Sequence, residues 1–106
     1  MKLPQGHRAD LGTKLEDYAL NPVHREGKHK ARLFDSVLGI TRANADLLLK
    51  GLRDAAAKSE SAVAKGDNGF GLVYEVRFPL STEKGSATIL SAWIVRHGED
   101  FPRLTT

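Results

Sequence analysis

The feature that most constrains this chain is a change of period. Up to Lys58 its apolar residues recur every third or fourth position, and after Gly66-Asp67-Asn68-Gly69 they recur every second one. Phe70, Leu72, Tyr74, Val76, Phe78 and Leu80 alternate with Gly71, Val73, Glu75, Arg77 and Pro79. The first pattern gives a helix one apolar stripe, and the second gives a strand one apolar face. Helices first and strands last imply an α+β fold, with about three N-terminal helices packed on one face of a C-terminal antiparallel sheet of three or four strands.

The elements follow from local signals. Thr13 caps a short first helix whose capping box is completed by Glu16, and Leu15, Tyr18 and Ala19 form its stripe. Pro22 ends it, because the residue before a proline is pushed out of the helical region. A second helix is predicted over about 27–38, with Ala31, Phe34, Val37 and Leu38 on one face and Gly39 as its C-terminal cap. A third runs from Thr41 or Ala43 to Lys58 and buries Leu47, Leu48, Leu52, Ala55 and Ala56. Beyond the first strand, Lys84-Gly85 turns the chain into Ala87–His97. There Ile89, Trp93 and Val95 share one face and Leu90, Ala92 and Ile94 the other. Two apolar faces predict a central strand, with Trp93 in the core and Arg96 on the opposite side. Pro79 marks a strand end or an edge. Pro102–Thr106 is a short last strand, and either the lead-in or residues 60–65 supplies the remaining member.

With 106 residues, 41% hydrophobic and 27% charged, the chain is expected to be a single domain, 1–106, of ordinary globular composition. It contains no internal repeat and no cysteine, which removes disulfides and thiolate chemistry. No apolar run reaches the roughly 18 residues of a membrane span, and the start MKLPQGHRAD has no apolar core of a secretory signal. A cytoplasmic protein is the expectation. The net charge of +3 is mild, but the surplus is local.

Residues 20–34, LNPVHREGKHKARLF, hold two histidines, His24 and His29, and four fixed cations, Arg25, Lys28, Lys30 and Arg32, against one acid, Glu26. A smaller group, Arg96, His97 and Arg103, lies near the C-terminus. Such clusters suit an anion. The histidines are five apart, off the helical i, i+4 spacing of a metal pair, and no carboxylate pair accompanies them, so no metal site is expected. Phosphate-cradling glycine loops and nucleophile elbows are absent from the sequence. Acid–base and electrostatic chemistry needs no cofactor. Cleaving RNA through its 2′-hydroxyl takes a base, an acid and cations around the phosphorane, and histidine, lysine and arginine can fill these roles. Beside this stands the plainer reading: His29 and its neighbours as the wet face of a helix, and Trp93 as core.

The order LNP-x-H-x-x-G-x-x-KA-x-x-F, followed by SAWIVR and DFPRLTT, resembles a small bacterial domain that occurs alone beside an antitoxin-like partner or as the C-terminal toxin module of large secreted proteins. That domain is similar to the barnase–EndoU–colicin–RelE group of metal-independent ribonucleases, in which N-terminal helices pack on a C-terminal antiparallel sheet. The resemblance spans about 3–105. It marks Asn21, Pro22, Gly27, Ala31 and Phe34, which turn and packing account for, and His24, Lys30, Arg96 and Thr105, which they do not. It therefore implies His24 as general acid or base, Lys30 and Arg96 as cations at the phosphorane, and Thr105 orienting the phosphate or the histidine. Arg25, Lys28, Arg32, His97 and Arg103 would bind the nucleic acid. Arg25 stands where such domains commonly have proline. The implied partners are RNA and a small acidic antitoxin or immunity protein. A non-enzymatic binding module, itself antitoxin-like or a backbone binder, is the alternative that the same cations allow.

Overall fold

A computed structural model describes residues 1–12, 23, 25 and 28–105. The first predicted helix lies outside the described residues. The rest is α+β: a four-stranded antiparallel sheet in sequential order, covered on one face by a helical layer. Helix α1 spans Lys28–Leu33 and α2 spans Asp46–Lys58. The strands are β1 (Val63–Asp67), β2 (Gly71–Ser81), β3 (Ser86–Arg96) and β4 (Arg103–Leu104). The fourth strand comes from the segment after α2. The lead-in contributes a single parallel bridge, Asp10 to Arg103.

Register converts the period of two into sidedness. Tyr74 faces Trp93, Val76 faces Ser91, Phe78 faces Ile89, and Trp93 in turn faces Leu104. Partners directly opposite in an antiparallel ladder share a face, so all of these lie against the helices. Leu38, Ile40, Leu48, Leu52 and Ala56 complete that core. Arg96, Ile94, Leu90 and Arg103 take the other face; no described helix lies on it, Leu90 and Arg96 are exposed there, and Ile94 is buried. Phe70 and Leu72, expected in the buried alternation, are instead exposed, because the sheet there extends past the helical layer. Just before β2, the carbonyl of Phe70 accepts from His97 N on the β3 side. By alternation the nitrogen of Pro79 faces the other way, beyond the last β1 partner, where no ladder bond is lost.

Trp93 is fully buried, and its indole N–H must find an acceptor. It donates to Ser91 Oγ at 2.9 Å, and that hydroxyl donates to Val76 O at 2.8 Å. One buried polar side chain thus satisfies the indole and ties β3 to β2.

The helices depart from their predicted faces in two places. Phe34–Leu38 continues α1 as a π-helical turn before Gly39, whose left-handed φ of +67° caps it. An i→i+5 turn holds one residue more than an α turn, so Val37 leaves the stripe and is exposed while Leu38 stays buried. In α2 Leu48, Leu52, Ala55 and Ala56 are buried as expected, but Leu47 falls on the flank and is exposed. Thr41 does cap this region. Its Oγ1 accepts from Ala43 N, and Asn44 Oδ1 accepts from Thr41 N, opening a 3₁₀ turn over Arg42–Asn44 that leads into α2.

The first eleven residues form a strap. Met1 O accepts from Ala62 N beside β1, and Asp10 N and O bond Pro102 and Leu104 around β4. Between these points Gly6 crosses the end of α2 so closely that a Cβ there would lie 1.8 Å from Ala56 O.

Replacing Ser91 with alanine would leave the Trp93 indole N–H buried and unpaired, at a cost of about 1–3 kcal/mol. Urea unfolding should show that loss. In a Trp93→Phe background, where the indole is gone, the same substitution should cost clearly less.

Candidate functional site

The basic residues near the C-terminus divide into a bonded set and an unbonded one. Arg103 lies in β4 opposite Ile94. Its Nε and Nη2 each donate to a Glu99 carboxylate oxygen at 2.9 Å, its Nη1 donates to Asp10 Oδ2 at 2.9 Å, and its guanidinium stacks 4.9 Å from the Phe101 ring centre. Arg8 packs over the same ring at 5.4 Å and pairs with Asp100 at 2.9 Å. The forked bond to Arg103 holds the Glu99 carboxyl below its usual range, and Glu99 in turn pushes the guanidinium pKa further up. Arg103, which the sequence assigns to nucleic-acid binding, is thereby engaged in closing the sheet edge.

His97 follows β3 and meets Asp67 of β1, with Nε2 2.7 Å from Oδ2. That bond, aided by the Gly69 N–H, lowers the Asp67 pKa. Leu72 stands between Asp67 and Val95 in the ladder, so this pair lies on the helix-facing side of the sheet, beyond the helices.

The carbonyl of Arg96 accepts from Glu99 N, and its charge helps lower the Glu99 pKa. Its exposed guanidinium has no hydrogen bond or ion pair with a described residue, and Arg96 stands across from Gly71 on the face opposite the helical layer. Thr105 donates its backbone N–H to Ala92 O, which sets it beside β3 four residues from Arg96, roughly 13 Å along the strand at about 3.3 Å per residue. By continuation of the β4 alternation, Thr105 and Arg96 share that face. Lys30 does not join them. It sits in the helical layer, in the wall of an apolar groove of about 330 Å³ lined by Leu33, Phe34, Ile89 and Leu104. The convergence of Lys30 with Arg96 expected from sequence fails because α1 covers the Trp93 face. His24 lies outside the described residues. Arg25, Lys28, His29 and Arg32 are all exposed.

A grouping that sequence reading missed is formed by Lys28 and Arg32 with Arg42. The reversal at Gly39 brings the 3₁₀ turn alongside α1, and the three cations line one cleft with Asp35. The signal available in the sequence was a cation directly after the capping Thr41, ten residues from Arg32. Among the described residues no three His, Asp or Glu side chains are grouped to hold a metal ion, and no helix is long and apolar enough to cross a membrane.

The fold and these sites define a small α+β domain whose described helices pack on one face of the sheet, with separate cationic surfaces. The chain belongs to the family described as domain of unknown function DUF6883, whose model matches residues 2–106. No curated protein and no solved structure matches it.

The Glu99–Arg103 pair gives a pH signature. A carboxylate whose folded pKa is lowered adds stability that is full above its ordinary value, near 4.5, and is lost as the pH falls through the lowered one. Glu99→Gln should therefore have a lower Tm than the wild type at pH 7. The gap should close below about pH 4 in thermal melts, where the wild-type carboxyl also loses its charge.

Proposed function

We propose that this chain is a toxin-like ribonuclease that cuts RNA by metal-independent acid–base chemistry. In this reading His24 exchanges a proton with the 2′-hydroxyl or the leaving 5′-oxygen, Arg96 stabilises the phosphorane, and Thr105 orients the phosphate. The observation that carries the reading is the sheet face opposite the helical layer, on which Arg96 lies exposed with no described carboxylate within ion-pair distance, on the side of the edge that holds Thr105. An exposed arginine whose guanidinium donors bond no described residue is a place where a phosphate can be held, with Thr105 farther along the same face. Lys30 contributes where the sheet edge near Leu104 meets the apolar groove, not at Arg96 itself. Described helices packed on one face of a meandering antiparallel sheet resemble the barnase–EndoU–colicin–RelE architecture, a likeness of fold level. A small acidic antitoxin or immunity protein would mask the cations by complementary charge, in the cytoplasm.

A second reading, a non-enzymatic binding module, draws on one observation: Lys30 and Arg96 lie in different layers, so the candidate residues do not form one compact centre.

Expression of the wild type in a bacterium lacking any partner should arrest growth and fragment RNA. Purified protein should cleave RNA in the presence of a chelator. His24→Ala and Arg96→Ala should each slow cleavage by about 10²-fold or more while melting normally. Equal growth of wild type and variants, with intact RNA, would sink the enzymatic reading and leave the binding module.

A further inference from the structure

The cleft beside α1 supports a more specific statement about how nucleic acid is held, one that rests on the reading above. Lys28 and Arg32 are one helical turn apart on the same side of α1, and Arg42 closes the cleft from the 3₁₀ turn. The cavity measures about 390 Å³ and its side chains carry three positive charges against one negative, Asp35. None of the three cations lies within ion-pair distance of Asp35 or of any other described carboxylate. This differs from Arg103 and Arg8, which are bonded to acids. Like charges at i, i+4 repel, and a bound anion relieves that repulsion.

We propose that this cleft binds the phosphate backbone of single-stranded nucleic acid, taking adjacent phosphates on Lys28–Arg32 and Arg42, at a surface separate from Arg96 and Thr105. The lining decides in favour of a backbone. Between the cations lie Ala31 and Ala43, with no large apolar or aromatic side chain to receive the anchors that fix a protein partner or to stack a base. Charge alone is offered, and phosphates are what charge alone recognises. Side chains at i and i+4 start about 6 Å apart, a spacing comparable with that of neighbouring phosphates in an extended strand.

The test is fluorescence anisotropy of a labelled twelve-residue oligothymidylate against the full chain over a range of salt. This strand lacks the 2′-hydroxyl, so binding is read whether or not the protein cleaves RNA. Arg32→Ala combined with Arg42→Ala should weaken binding and reduce the log–log salt slope by about 1.4, from roughly 0.7 per lost phosphate contact. The double lysine variant should keep most of both. An unchanged slope and affinity in the alanine variant would overturn the proposal. So would poly-glutamate binding more tightly than the oligonucleotide with the same dependence on Arg42, since the partner would then be an acidic protein. Failure of the wild type to cut RNA, with the slope change intact, would remove the ribonuclease reading and leave this site standing.

Discussion

A buried indole cannot leave its N–H unpaired, and much of this structure is arranged around that requirement. Trp93 reaches Ser91 two residues before it on the same strand face, and Ser91 passes the bond on to Val76 across the ladder. A slip of one residue between β2 and β3 would break that chain of bonds and turn Trp93 to the face opposite the helical layer. The register therefore follows from one ring as much as from the apolar alternation around it. Once it is set, Arg96 three residues on has no choice of side. The residue proposed to meet phosphate is aimed by the residue that anchors the core.

The strands were legible because a period of two leaves few alternatives. β2 and β3 begin and end within a residue or two of where alternation places them, and the opposition of Trp93 to Arg96 follows from parity alone. The helices were legible in position and less so in facing. Nothing in Phe-Asp-Ser-Val-Leu announces a π turn, since the same residues satisfy an α stripe, so Val37 was assigned to a core it does not enter. The site was the least legible part. Which layer Lys30 occupies depends on how α1 crosses the sheet, a tertiary fact without a local signature. The Glu99–Arg103 pair had a readable four-residue spacing, but Asp10 joins it through a contact that no sequence spacing reveals.

The structure sorts the basic residues by what they already hold. Arg8 and Arg103 face Asp100, Glu99 and Asp10 and share the Phe101 ring. Lys28, Arg32, Arg42 and Arg96 face no described carboxylate within ion-pair distance. A net charge of +3 spread evenly would say little about partners. Grouped at the α1 cleft and at Arg96, apart from the acid-bonded Arg8 and Arg103, it becomes a pattern with direction.

The strap also bears on the order in which the molecule assembles. Asp10 and Arg103 stand 93 residues apart in sequence, whereas β1, β2 and β3 are joined by tight turns and pair with their nearest neighbours in the chain. Local hairpins close quickly, and contacts of long separation wait for the entropy of the intervening loop to be overcome. During synthesis the three-stranded meander can therefore form while the N-terminal segment still lacks its counterpart at β4. The strap's Asp10 end is fixed by a partner far along the chain, while its Met1 and Gly6 end meets Ala62 and the end of α2.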